Sequence, residues 1–222
     1  GCADGCDDVD SATATVTQLI KLRNLVVATP DDALLARGQV QFGGNISAHN
    51  VTGKGVAVRA GQAVTTQGSS EIEGPWVEND GKLFSSSREA FFEYFFGDTK
   101  ANIKAQVAVF ANSFPPSGTK GGVYWAEGNT AVHGGTFGSP NEPVVLIVNG
   151  NLNVNANTTI YGMLYVVGGA NGWDNSGGGN AKVIGAAVSE QSFKGQGTPM
   201  FIKDADVLGK LSGWGVPAKV PG

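Results

Sequence analysis

The sequence predicts a mainly β protein whose core is of the parallel β-helix (solenoid) type, with an N-terminal helix and a short helical pair attached. Three observations predict it. Asparagine stands at Asn149, Asn151, Asn153, Asn155 and Asn157, with Gly150, Leu152, Val154 and Ala156 between. Side chains of an extended strand alternate between faces, so one face there is carboxamide and the other small and apolar. Short apolar units closed by glycine recur, among them Ile160-Tyr161-Gly162 and Val183-Ile184-Gly185, about one coil apart. Finally, no Asn-Gly or Asp-Gly closes a two-residue hairpin between alternating runs, because Asn149-Gly150 lies inside a strand-like run. A sandwich or barrel is the alternative, and regular hairpin signals would support it.

The elements follow in order. Residues 1–29 hold a cysteine-containing segment and a helix over 10–28: Asp10 or Ser11 caps it, Ala12, Val16, Leu19 and Ile20 share a stripe, and Pro30 stops it. Residues 30–82 are a first β segment, with QVQFGGNISAHN and VAVRAGQAVTTQGSSEIEG alternating apolar and polar positions between glycines. Residues 83–112 are an aromatic helical pair. Ser86 followed by Glu89 reads as a capping box, Phe91, Phe92, Phe95 and Phe96 form an apolar face, and Gly97 ends the first helix. Asp98 caps the second helix, in which Ile103, Val107 and Phe110 lie one and two turns apart. Pro115-Pro116 breaks it. Residues 113–222 then carry only strand and turn signals, in the units VYWAEGN, TAVHGGTFG, VVLIVNGN, LNVNANTTIYG, MLYVVGG, AKVIGAAVSE and PMFIKDADVL.

Composition excludes some functions. With 34 glycines, about twice ordinary usage, and only 15% charged residues, the surface must be Asn, Ser, Thr, Gln and Gly. A net charge of -4 speaks against a phosphate-backbone binder, which needs clustered Lys and Arg; Lys182, Lys194, Lys203, Lys210 and Lys219 form a basic stripe only if successive coils align them. Apolar runs such as 144–148 are far too short to span a bilayer. The chain opens at Gly1 without an initiator Met, as a processed product or a fragment would. Cys2 and Cys6, spaced CxxxC around Gly5, either close a tight disulfide loop or remain free thiols. We adopt the disulfide, which implies an oxidising compartment.

The chain is poor in catalytic material. Its two histidines, His49 and His133, stand far from each other and from the cysteines, without zinc-ligand spacing. No GxSxG, HExxH, phosphate-loop or dinucleotide fingerprint occurs. Asp204 and Asp206, two apart, would face one way on a strand, the arrangement a polysaccharide-cleaving acid pair could use; the plainer reading is a solvated strand end. Asp4, Asp7, Asp8 and Asp10 lack an EF-hand pattern and suit a helix start. No metal or other cofactor is expected. For binding, the candidates are the asparagines 149, 151, 153, 155 and 157, as a flat polar face for a glycan or a partner strand, and Trp173 in GGANGWDNSGGGN, as an exposed aromatic anchor or a ring folded back over the core. The plainer reading of the ladder is a solvated face that keeps a flat sheet soluble without charge.

Three blocks carry a resemblance: RGQVQFGGNISAHNVTGKGVAVRAGQAV; EAFFEYFFGDTKANIKAQV; and GNTAVHGGTFGSPNEPVVLIVNGNLNVNANTTIYGMLYVVGG with GGGNAKVIGAAVSEQ and FIKDADVLGKL. On these the chain resembles the PilX-type minor pilins and pilus-assembly proteins of type IV pili. The third block is the strongest, with its Pro-led apolar strand ending in Asn-Gly, its Tyr-Gly strand and its terminal Val-Leu-x-x-Leu. The chain departs from the family at Lys203-Asp204-Ala205-Asp206, where relatives carry an aromatic before the Asp. The resemblance implies a soluble head, with a pilin-like or alternatively sandwich-like fold. Residues 10–28 would be the tail of a stalk whose apolar, membrane-anchoring part lies upstream of Gly1. It implies no catalytic residues and no cofactor. It implies an exported protein of the cell surface or extracellular pilus, acting in pilus assembly, twitching motility or cell adhesion, with an adhesin or DNA-uptake tip module as the alternative. Its partners would be other pilin subunits and a pilus-tip protein, with nucleic acid not expected.

Overall fold

The computed structural model describes residues 22–51, 53–177, 179–213 and 215–217. Among them, eight short strands precede the helices: β1 (Leu22–Asn24), β2 (Leu34–Ala36), β3 (Val40–Phe42), β4 (Ser47–His49), β5 (Val58–Ala60), β6 (Val64–Thr66), β7 (Glu71–Glu73) and β8 (Trp76–Val77). Helices α1 (Gly81–Ser85), α2 (Arg88–Phe96) and α3 (Lys100–Lys104) follow. The chain then returns to strands: β9 (Ala108–Ala111), β10 (Val123–Glu127), β11 (Thr130–Phe137), β12 (Val144–Asn149), β13 (Leu152–Val166), β14 (Trp173–Asn175), β15 (Lys182–Ser189), β16 (Phe193–Gly195) and β17 (Met200–Lys203). Helix α4 (Ala205–Gly209) and strand β18 (Gly215–Pro217) end the described chain.

The protein is mainly β, and its sheets are parallel. Only β1 and β18 pair antiparallel among the named strands. One ladder runs β9, β10, β12, the end of β13, the end of β15, β2, β5, β8. A second runs from the end of β11 through the middle of β13 and the start of β15 to β17, β4 and β7. A third joins β14, β16, β3 and β6. Ile160, Tyr161 and Gly162 lie opposite Val183, Ile184 and Gly185, so the two related sequence units are neighbours in register. Gly162 and Gly185 sit where β13 and β15 pass from the second ladder to the first. Both have φ of 135°, and an added Cβ would fall 1.9 Å from the Val144 carbonyl oxygen and 2.0 Å from that of Gly162, respectively. Only glycine permits that approach.

The ladders do not follow chain order. The level formed by β15, β16 and β17 is followed in space by β2, β3 and β4, from the other end of the chain. This seam is closed by backbone bonds such as Ala187 N–H to Ala33 O (2.9 Å), Phe193 N–H to Gln39 O (2.8 Å) and Ser47 N–H to Pro199 O (3.0 Å). At its corner the buried Lys203 ammonium donates to Pro30 O (3.0 Å) and lies 3.6 Å from Asp31. Burial holds that ammonium below its usual range, against the pull of Asp31 and Asp32.

Two apolar cores result. Alternate side chains of all three ladders, including Leu34, Phe42, Leu146, Leu152, Phe193 and Phe201, fill the space the ladders enclose. The first ladder also buries its outer face, which explains why VVLIV in β12 and MLYVV in β13 are unbroken apolar runs. That face lies under α2, and Tyr165 is the hub. Its ring centroid is 5.3 Å from that of Phe92, 5.4 Å from Phe96, 6.0 Å from Phe95 and 6.3 Å from Phe91. Its hydroxyl donates to Glu190 (3.0 Å), a fully buried carboxylate that also accepts from Arg88 Nε (2.6 Å) and pairs with Lys100 (3.0 Å).

Several sequence expectations need correction. The predicted helix over 10–28 lies outside the described residues up to 21. Beyond that, Leu22–Asn24 is a strand, and Val27 and Ala28 both donate to Phe95 O in non-helical chain. Paired β-branched valines ahead of Pro30 favour that conformation. The first long helix starts at Ser87, whose hydroxyl accepts from Ala90 N–H, and not at Ser86. Gly97 ends it in the left-handed region, as expected. Thr99 caps α3 in place of Asp98, and α3 stops at Lys104 because 108–111 is claimed by pairing with β10.

Two outcomes follow. Phe92→Ala, which removes a fully buried ring from the hub, should cost about 3–5 kcal/mol in chemical denaturation. Burial first, then the charge and hydrogen bond of Glu190, push the Tyr165 phenol well above its usual 10.0. The unfolded chain therefore loses that proton first. The associated stability is complete below the usual value and is lost as pH rises toward the folded one. Denaturation midpoints measured from about pH 8 to 11 should fall more steeply for the wild type than for Tyr165→Phe.

Candidate functional site

The asparagine row occupies the outward side of β12 and β13, where Leu152 and Val154 point inward as the alternation requires. It is solvated only in part: Asn157 is exposed, whereas Asn149, Asn151, Asn153 and Asn155 are half-buried. Asn151 Oδ1 accepts from Asp174 N–H (2.8 Å), its Nδ2 donates to Asp174 O (2.8 Å), and its own N–H donates to Asn129 Oδ1 (2.9 Å). Asn153 Oδ1 accepts from Ser176 N–H (3.0 Å) and its hydroxyl (3.2 Å). Asn175 Oδ1 accepts from Val154 N–H (2.8 Å). The first half of β13 has its backbone ladder with β11, while β14 pairs with β16. Carboxamides stand in for the main-chain bonds between β13 and β14. Asn149 donates to Glu127 (2.9 Å). Burial would raise the Glu127 carboxyl, but hydrogen bonds from Lys104, Trp125 and Asn149 hold it below its usual range. The alternation breaks at Ala156, exposed at φ 54°, where β11 and β13 shift register.

Beyond that break the row opens onto a shallow recess of about 510 Å³ lined by Asn45, Ser47, Asn157, Asn180, Lys182 and Thr198, with Thr159, Ala181 and Met200. Thr159, Lys182, Met200 and Ser47 are successive partners across one ladder. Thr198 bridges Gly179 O (3.1 Å) and Asn180 Oδ1 (2.5 Å). The recess offers amides, hydroxyls and one exposed ammonium, a lining suited to a polyhydroxylated or anionic ligand. Of the sequence candidates it takes in Asn157 and, from the lysines, Lys182. Its other members were legible in principle, since Asn180 follows Asn157 at the interval that separates Ile160 from Val183.

The remaining candidates are scattered or engaged. Trp173 is 1% exposed; its indole N–H donates to Leu152 O (2.9 Å) and its ring lies 4.8 Å from Phe193. It is a core residue, not an exposed anchor, because β14 turns it inward beside the aromatic residues of β16 and β17. Asp204 and Asp206 are not on a strand: Asp204 caps α4, accepting from Val207 N–H (2.9 Å), and Asp206 lies in the first turn. His49 pairs with Glu73 (2.5 Å) on β4, whereas His133 is exposed on β11. The lysines do not form a stripe. Lys203 is buried in the seam, Lys210 binds Pro140 O and Asn141, and Lys182 and Lys194 lie on different ladders. Cys2, Cys6, Asp4, Asp7, Asp8, Asp10 and Lys219 lie outside the described residues. No helix among the described residues is long and apolar enough to cross a membrane.

No protein-family model matches the chain, and neither a curated protein nor a solved structure is detectably similar to it.

Asn151→Ala deletes both bonds to Asp174 and the bulk beside them. It should lower stability by about 1–3 kcal/mol in chemical denaturation, whereas Lys182→Ala, which changes only an exposed side chain, should leave the midpoint unmoved.

Proposed function

We propose that the chain is a structural and interaction subunit of a type IV pilus, minor-pilin-like, exported to the cell surface and acting with other pilins and a tip protein without catalytic turnover. The reading of the core as a parallel β-solenoid belongs to this proposal. It is supported by related units lying opposite each other in register and by chain crossings at stacked glycines. The pilus assignment rests on the resemblance of three sequence blocks. The third contains the strands β11, β12, β13 and β15, where the ladders are longest.

The observation that most favours a non-catalytic role is the placement of Asp204 as a helix cap. A polysaccharide-cleaving β-helix would need Asp204 and Asp206 to flank a groove. Asp204 instead spends its carboxylate on Val207 N–H, and α4 buries Val207 and Leu208 behind it. The other buried acids are equally engaged, Glu190 by Arg88, Lys100 and Tyr165, and Asp32 by Arg59 and Val56 N–H. The polar recess favours a second reading, an adhesin-like tip module with a saccharide ligand.

In a host that makes type IV pili, deleting the gene should reduce surface piliation or twitching. A full-length copy carrying Asp204→Asn and Asp206→Asn should restore them as well as wild type. Intact pili in the deletion strain, together with loss of a polysaccharide-cleaving activity in the double variant, would overturn the proposal in favour of the enzyme. Normal piliation with loss of attachment to a saccharide-coated surface would favour the adhesin.

A further inference from the structure

The two ends of the stack differ. At the β11 end, Phe114 lies edge-on against Phe137 (5.3 Å), Pro115 is buried, and Ser117 Oγ and Gly118 N–H bond the Thr136 backbone at 3.1 and 2.8 Å. That end is capped. At the other end the last strands are β6, β7 and β8, one for each ladder. Their inward positions are Val64, Ile72 and Trp76, which continue the fully buried Val40, Ala48 and Val58 one level up. Val64 and Ile72 are only partly buried, and Trp76 is 56% exposed. With Thr66 and Ser70 they line a recess of about 270 Å³. Core side chains thus end facing solvent, beside a strand edge.

The edge specifies its occupant. Glu71 N–H donates to Ile46 O and Glu73 O accepts from Asn50 N–H, so strand alternation directs the Ile72 N–H and C=O to the open side of β7. At β6 the edge is already blocked, because Glu78 accepts from Val64 N–H (2.9 Å). A strand added to β7 would set an apolar side chain beside Ile72, over the recess, and its two flanking side chains beside the exposed Glu71 and Glu73. Those carboxylates disfavour a second copy meeting edge to edge, since like charges would face each other. They favour lysine or arginine at the flanking positions.

We propose that β7 is a docking edge for an extended segment of another protein, one that alternates apolar and basic residues and adds as a further strand, its apolar side chain entering the Val64–Ile72–Trp76 recess. This does not depend on the pilus reading. Affinity comes from the Ile72 backbone pair and the covered recess, selectivity from Glu71 and, beside its contact with His49, from Glu73.

The test is titration of the isotopically labelled full chain with an end-capped peptide of alternating Lys and Val, followed by amide shifts. The expected result is saturable shifts centred on 71–73 and 76, at least about tenfold weaker binding by a second peptide with Glu in place of Lys, and loss of binding in Ile72→Lys with the denaturation midpoint unchanged. Three results would overturn the proposal: no saturable shift, equal binding of the two peptides, or shifts at 71–76 that depend on protein concentration without peptide, which would make a second copy the occupant. Pilus phenotypes do not enter the readout.

Discussion

Everything in this fold depends on the seam at which the last strands of the chain meet the first. Strands 182–203 can bury their inner side chains only when strands 34–49 lie against them, and the two are separated by most of the sequence. An ordinary repeat protein stacks each level on its chain neighbour and can grow from either end. Here the N-terminal levels cannot take their final place until the C-terminal strands exist. That is a high-contact-order requirement, with the loop-closure entropy spent before the ladders repay it. Lys203 at the seam's corner is consistent with this. A buried ammonium is costly unless matched, and Pro30, Asp31 and Asp32 match it from across the junction.

The helices solve the second problem the seam creates. The connection from β8 to β9 must carry the chain back to the far end of the stack, and it does so over the outer face of the first ladder. The aromatic face of α2 turns that passage into a second core. Glu190 fixes the docking. It leaves the end of β15 fully buried, and its partners come from α2 (Arg88), from α3 (Lys100) and from β13 (Tyr165). Arg37, one residue past β2, donates to the Glu190 carbonyl (3.0 Å) and to Phe84 O and Ser86 O beside α1. Helices, late strands and early strands therefore share one network, in which the buried Glu190 charge depends on Arg88 and Lys100 together.

The sequence carried much of this, unevenly. Strand positions were legible because their signals are local, as in VVLIV, TAVH and the Gly162 and Gly185 units. The inward direction of Leu152 and Val154 followed from alternation alone. What was not legible depends on partners distant in sequence. Val107 and Phe110 continue the stripe of Ile103 by spacing, until pairing of 108–111 with β10 ends the helix before them. Asp204 and Asp206 look like a same-face strand pair until α4 begins between them. Trp173 sits in a glycine-rich loop, and only the register of β14 on β16 turns it inward. The asparagines were placed on the right side of the strand. Their bonds to Asp174 and Ser176 were invisible, because no local rule marks the gap between β13 and β14 that they span.

The seam also sets how the molecule answers to force. The chain enters β2 from 29–33 along the strand axis, and β2 is held between β15 on one side and β5 on the other by bonds that run across that axis. Tension applied along β2 would load those bonds in shear, all together, instead of peeling them singly. The corresponding strands β3 and β4 lie directly behind in the chain, each gripped on both edges in the same way. Force applied along these strands would have to shear them as a block.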